Sequence, residues 1–456
     1  MAATPLAHDV HPTRRPLADW LGLAALLAFA WLTFIDVLRA NQAMGALFIL
    51  FLVAGGRYWR DLLPEPWVGL TFIYLVFVAV HGGISRFMSP VPSDVLLAVS
   101  LDFVKLGFLP ALVVAYWGSR WPRLIPTVLW LIPLGFVWRV LSRIDGHDLT
   151  TLLAGQDRAT FGDGAVLFGL WNLIILLFGV YHLARAIGQL RDRRTVPVLL
   201  GLVGAVGLLG FATLGLAFSQ TRTAWGLAAV LLPAQIVASV WFRLWRHYSR
   251  KAVIAWIVAL VGTLGVGLAA LSGPVLDRFA QLDRGIGIRS QILGVGWEAW
   301  LERPFLGWGA GADEWVLARS GNEELLRRGF SHLHNDVLIH LVEYGVAGAL
   351  FYMALFLFPA IWLLVAVVRR PAWRAEAMTL LLSLATLAGG GLTDRVLMSR
   401  RGPFVIALVI GLSLAVHWLQ RHRRWLDASD QEWRTTDPDS GVAEGSDSRL
   451  HGGDGA

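Results

Sequence analysis

The chain has 456 residues, 56% of them hydrophobic, 16% charged and none cysteine; a soluble domain carries roughly one quarter charged residues. That balance excludes a single soluble core, disulfides and Cys-ligated metal, and points to an all-α, polytopic membrane protein among membrane lipids. The net charge of +7 is almost all arginine, with Lys105 and Lys251 the only lysines; the arginines fall between apolar runs rather than in one patch, which argues against a nucleic-acid partner.

In chain order, residues 1–16 read as a tail, and many of the apolar runs after it are near the ~20 residues that cross a ~30 Å hydrocarbon core. They predict membrane helices at Leu17–Leu38, Ala43–Tyr58, Trp67–Val80, Val95–Trp117, Leu124–Leu141, Ala165–Ala184, Val196–Ala217, Ala224–Phe242, Ala252–Leu271, Val337–Val368, Ala375–Leu392 and Pro403–Leu419, about twelve spans in all. The first run lacks a small-residue cleavage site and reads as a retained span. The second and third are short enough to be re-entrant. Inside the fourth, Asp102 and Lys105 stand one helical turn apart and are expected to pair, because a lone charge in lipid is expensive.

Arginine placement orients the chain. Arg14/Arg15, Arg57/Arg60, Arg120/Arg123, Arg185/Arg191/Arg193/Arg194, Arg243/Arg246/Arg250 with Lys251, Arg369/Arg370/Arg374 and Arg421/Arg423/Arg424 occupy every second connection, as in cytoplasmic loops. Both termini then lie in the cytoplasm. The organisation that follows is a cytoplasmic tail at 1–16, transmembrane helices over 17–271, one large external loop over 272–333, further transmembrane helices over 334–420 and a cytoplasmic tail over 421–456. From Asp427 to Ala456 that tail is Gly- and Asp-rich and is expected to be disordered. In the large loop Trp297, Trp300, Phe305, Trp308 and Trp315 predict short helices lying on the membrane surface, where amphipathic aromatics settle. No internal repeat of the kind that marks inverted-repeat transporters is visible.

Three features on the external side are candidates for chemistry: Ser219-Gln220-Thr221-Arg222-Thr223 between the seventh and eighth spans, Arg289 in the large loop, and His332-Leu333-His334-Asn335-Asp336 opening the tenth span. Arginine at a membrane surface ordinarily snorkels, but Arg222 lies in a very short connection on the arginine-poor side, where the positive-inside rule gives no reason for it. Arg289 has Arg278, Arg284 and Arg303 as neighbours in the loop. His332 and His334 alternate in an extended segment and share a face, as metal ligands do. No Asp-x-Asp or carboxylate cluster accompanies them and no third zinc ligand stands out, so no metal and no cofactor is expected. His334-Asn335 is followed after nine residues by Gly345-Val346-Ala347-Gly348. This spacing sets the histidine at a helix mouth, with small residues roughly three turns below it that let a neighbouring helix approach closely.

His-Asn, nine residues, then Gly-x-x-Gly resembles the signature of the O-antigen ligase family, within the O-antigen ligase and polymerase superfamily. The order of parts is similar too. An arginine precedes a mid-chain span, here Arg222 in Thr-Arg-Thr-Ala-Trp-Gly; a large loop carries a second arginine, here Arg289, then a Pro-Phe-Leu-Gly-Trp-Gly stretch, here Pro304 to Gly309, and ends at the histidine. The motifs cover about residues 200–365, and Ala349 follows the second glycine where the family often has Gly, Thr or Val.

The resemblance implies a glycosyltransferase of the bacterial inner membrane with its active site facing the periplasm. Its donor would be a glycan on undecaprenyl diphosphate, and its acceptor a hydroxyl of the lipid A core oligosaccharide. By the same resemblance Arg222 and Arg289 grip the diphosphate, a task that suits guanidinium groups with paired donors and permanent charge. His334 takes the proton from the attacking hydroxyl, which implies inversion at the anomeric carbon without a metal. Asn335 or Asp336 orients the imidazole, and Gly345 and Gly348 support the site. An O-antigen polymerase and a protein O-oligosaccharyltransferase are the alternatives within the superfamily. Polymerases tend to have two sizeable external loops, whereas Ser142–Gly164 is modest; the protein-modifying members often add an external C-terminal domain, and none is visible. A secondary transporter, from a different class, needs discontinuous helices around a midplane site, which Arg222 and His334 at the membrane face do not match.

Overall fold

The computed structural model describes residues 17–55, 65–91, 108–144, 159–160, 164–192, 195–244, 282–327, 329–369, 373–397 and 399–421, with positions 254, 258 and 262 besides. Every described element is helical: α1 (Leu17–Ile35), α2 (Val37–Gly55), α3 (Pro66–Met88), α4 (Phe108–Arg120), α5 (Ile125–Leu141), α6 (Ala165–Asp192), α7 (Val196–Phe218), α8 (Arg222–Ser239), α9 (Leu282–Glu302), α10 (Ala312–Arg319), α11 (Glu323–Arg327), α12 (Asp336–Arg369), α13 (Arg374–Gly391) and α14 (Gly402–Arg421).

Among the described residues, 8 helices are long and apolar enough to cross a membrane, which makes this a multi-pass integral membrane protein. The twelve spans expected from the apolar runs are not all matched. Of the expected span Val95–Trp117 only the part from Phe108, where α4 begins, lies within the described residues. α2 is described as an apolar helix over Val37–Val53, next to residues outside the described set. α13 opens on Arg374 and Glu376 and ends on three glycines, which dilutes its hydropathy. The expected span Ala252–Leu271 and the pair Asp102 and Lys105 lie outside the described residues, as does the C-terminal tail. The first expected span also ends early. At Asp36 the chain reverses, and the Asp36 carboxylate caps α2 by accepting the Leu38 and Arg39 N–H groups at 2.9 and 3.2 Å. Trp117 fills the space left by Gly22 of α1 and donates its indole N–H to Leu47 O of α2 at 3.2 Å, so α1 and α2 lie side by side.

The bundle is apolar inside and out. α6 and α14 run through its centre, with 89% of their apolar windows buried. Large side chains such as Phe72 and Val80 of α3, Leu200 and Val203 of α7 and Leu350 and Leu357 of α12 point outward, an arrangement that water would penalise and lipid does not. A second, smaller core lies at one end, where Ile292 and Ala299 of α9, Val316 and Leu317 of α10 and Leu325 of α11 pack on Leu333, Leu338, Ile339 and Val342 at the start of α12. The large loop is therefore a helical cap seated on the mouth of α12.

Three glycines bring other helix ends to that mouth. At Gly389, Gly390 and Gly391, closing α13, a side chain would collide in turn with Leu227 of α8, Leu170 of α6, and Tyr352 with Asp336 of α12. The second turns of α6 and α8, with Asp336 and Tyr352 of α12, thus meet the last turn of α13.

α12 is broken inside its span. Gly345 has φ 65° and ψ −159°, a region that essentially only glycine occupies. The carbonyls freed at the break are not left bare. Trp308 N–H donates to Val342 O at 2.8 Å, Gly309 N–H to Glu343 O at 2.9 Å, and Val346 N–H to Pro304 O at 2.9 Å. The Pro304–Gly309 stretch is the segment that plugs the break, satisfying backbone groups that could not remain unpaired at membrane depth. α3 holds the plug from the far side, with His81 Nε2 2.6 Å from Leu306 O and Ser89 Oγ bonded to Trp308 O. The expectation that Gly345 admits a neighbouring helix is therefore corrected: its missing Cβ makes room for the Phe305 carbonyl. At Gly348 a Cβ would meet Tyr344 and the His340 carbonyl of the same kinked helix.

Candidate active site

His334 precedes α12 by two residues, with φ 51°, a left-handed conformation uncommon outside glycine. Its Nδ1 lies 3.0 Å from Asp394 Oδ1, in the connection between α13 and α14. Asp394 also accepts the Arg395 N–H at 2.8 Å. Burial pushes the Asp394 carboxyl up, but the neighbouring His332 and His334 imidazoles outweigh it, so it lies well below the usual carboxylate range. An ionised carboxylate only accepts, so Nδ1 is the donor to Asp394, and in the neutral form of the ring the lone pair sits on Nε2. Phe330 meets the ring edge-on at 5.3 Å, and His332 lies against it with ring centroids 4.0 Å apart.

Neither residue expected to orient the imidazole does so. Asn335 is the N-cap of α12: its Oδ1 accepts the Leu338 N–H at 2.9 Å, and its Nδ2 donates to Leu392 O at 2.9 Å. Asp336 is buried and accepts the Val396 and Leu397 N–H groups at 3.1 and 2.9 Å. Both residues pin the 392–397 connection to the mouth of α12 and so place Asp394, which stands 60 residues from the histidine it holds.

The next residue is clamped as well. The Arg395 guanidinium lies 3.1 Å from Glu314 and 3.8 Å from Asp313, both on α10. Burial holds the Asp313 carboxyl above its ordinary value against the pull of Arg395. Beside it Glu343, at the break in α12, accepts the Gly311 N–H at 2.7 Å. Cap, broken helix and the Asp394 connection therefore share one buried cluster of charge.

Arg222 is the first residue of α8 and half-buried. The turn before it is tight: Gln220 has φ 48°, Thr221 Oγ1 donates to Ala165 O at 2.9 Å, and Ser219 Oγ to Leu216 O at 2.7 Å. Through Leu227 on Gly389, this turn shares the end of the bundle with Asp394. Arg289 is exposed on α9. Arg289, Ile292 and Gly296 follow the i, i+3, i+7 pattern of one helix face, and a Cβ on Gly296 would meet Leu338 and Leu333 beside His334. Among the described residues neither guanidinium touches His334, and neither is paired with a carboxylate. The structure thus brings His334, Asn335, Asp336 and Asp394 together in contact, and sets the two arginines around the same end of the bundle on separate elements.

The absence of a third metal ligand is also corrected. His332 Nε2 lies 3.9 Å from Asp394 Oδ1, and the donor atoms of His332, His334 and Asp394 all fall within 4.8 Å of one another. Asp394 went unremarked in the sequence, although a signal was present. Arg395, Arg400 and Arg401 follow it in a connection assigned to the arginine-poor side, and one of them, Arg401, is buried and donates to Phe34 O at 3.2 Å.

Comparison with protein families matches residues 205–353 to the O-antigen ligase model. Over that segment the chain is similar to O-antigen ligase domains. A search of curated proteins finds no match to the chain. The ligase-family segment runs from α7 through the cap to the upper half of α12 and includes Arg222, Arg289, His334, Gly345 and Gly348, while Asp394 lies beyond it. Members of that family transfer lipid-linked glycans by ligase- or polymerase-type chemistry.

Proposed function

We propose that the protein is an O-antigen ligase of a bacterial inner membrane, with its cap and catalytic mouth in the periplasm. It moves O-antigen polysaccharide from undecaprenyl diphosphate to a hydroxyl of the lipid A core oligosaccharide. The observation that carries this reading is the His334–Asp394 pair at the mouth of α12, on the bundle end that Arg222 also borders.

In this reaction the acceptor hydroxyl gives its proton to His334 Nε2 as its oxygen attacks the anomeric carbon, and the bond to the diphosphate oxygen breaks. Asp394 stabilises the imidazolium that forms. The leaving diphosphate is met by the two guanidinium groups, which hold charge in place as it develops. No acid is needed, because a lipid diphosphate leaves as an anion, and attack opposite the leaving group inverts the anomeric centre. No metal enters these steps. Asn335, Asp336, Gly345 and Gly348 serve by shaping the mouth of α12.

The test is attachment of long O-chains to lipid A core in a ligase-null strain that carries this chain. Restoration of those chains supports the ligase. Restored elongation of lipid-linked repeats in a polymerase-null strain, with no ligation, would assign it to the polymerases, and glycosylated protein to the oligosaccharyltransferases.

A further inference from the structure

His332 is a residue that the transfer reaction does not use. It stands in an extended segment with its ring against His334 and its Nε2 turned to the carboxylate that His334 holds. We propose that His332, His334 and Asp394 form a binding site for a divalent transition-metal ion of the zinc type, and that filling it switches off transfer. The inhibitory part rests on the assignment of His334 as the base; the binding part does not.

Zinc bonds to imidazole nitrogen and carboxylate oxygen at about 2.0–2.2 Å in a tetrahedron, which sets neighbouring ligand atoms roughly 3.3 Å apart. The present separations are 3.0 Å for His334 to Asp394 and 3.9 Å for His332 to Asp394, and all three donor atoms lie within 4.8 Å of one another, so rotations of these side chains close the polyhedron. Two nitrogens with one oxygen select against magnesium and calcium, which want oxygen alone, and for zinc, copper or nickel. All three side chains are partly exposed, which gives an ion a way in and leaves a fourth position for water. Arg395 does not oppose the charge from close by, since its guanidinium is turned to Glu314 and Asp313.

Inhibition follows from proton bookkeeping on one ring. A neutral imidazole has one N–H and one lone pair. When Nδ1 of His334 gives its lone pair to the ion, the single proton must reside on Nε2, the atom that has to accept the proton of the attacking hydroxyl. The metal therefore removes the base.

The experiment uses the full chain purified in detergent, with Zn²⁺ alone as the probe. Binding is measured by competition with a chromophoric chelator, and transfer is measured from lipid-linked donor to core acceptor. One ion per chain is expected in the wild type, lost in His332→Ala and in Asp394→Asn. Transfer by the wild type should fall about tenfold at a free Zn²⁺ concentration ten times the Kd and return with EDTA. His332→Ala, compared with its own rate without zinc, should resist zinc at that concentration. Equal binding by wild type and His332→Ala, or no binding below millimolar Zn²⁺, overturns the site while leaving the base assignment untouched. Binding through these three residues with transfer undisturbed overturns the inhibition and, with it, the assignment of His334 as base.

Discussion

His334 and Gln220 are the two non-glycine residues with positive φ among those described, at 51° and 48°, and each sits in one of the two short polar motifs at the mouth. Such conformations cost about 1–3 kcal/mol and persist where the surroundings over-determine them, often at functional sites. Around His334 the restraints are the Asn335 cap, the Asp394 hydrogen bond and the Phe330 and His332 rings. His334→Ala is expected to leave donor binding nearly intact and to lower transfer by roughly 10²–10⁴, the contribution of a positioned base; full complementation of a ligase-null strain by this variant would remove it from the mechanism. Arg222→Lys retains charge but loses the paired donors, so impaired O-chain attachment at normal protein level is expected, and unaltered attachment by this and the matching Arg289 variant would move the diphosphate grip elsewhere.

At the scale of elements, the break in α12 and the plug that fills it form one device. Gly345→Ala places a Cβ against the Phe305 carbonyl in a conformation only glycine holds, so a loss of about 1–3 kcal/mol from backbone strain alone is expected, read as a lower melting midpoint in detergent. A melting midpoint equal to wild type would show that the break does not persist. The Asp313 cluster gives a pH-dependent prediction with a definite sign. A carboxyl whose folded value is raised favours folding fully below its unfolded value near 3.9, and that contribution is lost as pH rises through the folded value. Asp313→Asn removes this penalty, so the stability deficit of the variant should be largest near pH 4 and shrink toward pH 8. A deficit that widens with pH would mean that the pull of Arg395 outweighs burial.

For the whole molecule, the arginine pattern supports the proposed orientation, in which cap, His334 and Arg222 face the periplasm. Alkaline phosphatase fused near Arg319 should be active and fused near Gln189 inactive; the reverse result overturns the orientation. The three-ligand cluster does not change the expectation that transfer runs without a metal, since its occupant blocks the base. Purified protein should keep its activity in excess EDTA, and a loss restored by Mg²⁺ or Zn²⁺ would make the ion a participant.

The amino-acid sequence by itself determined the class of protein, because apolar runs of membrane length admit few alternatives to helices in lipid. It also offered Arg222, Arg289 and His334 as candidates, since their order and spacing along the chain are what a family signature records. Helix ends and the span count were less legible. Asp36 reverses the chain inside an apolar run, and Gly345 breaks a helix that hydropathy reads as continuous. The partner of the histidine was decided only by the tertiary structure. Asp394 lies 60 residues from His334 and reaches it because three glycines let α13 close on its neighbours while Asp336 and Asn335 hold the next connection. Contacts of that kind depend on which helix ends meet, and a linear pattern of residues does not contain that information.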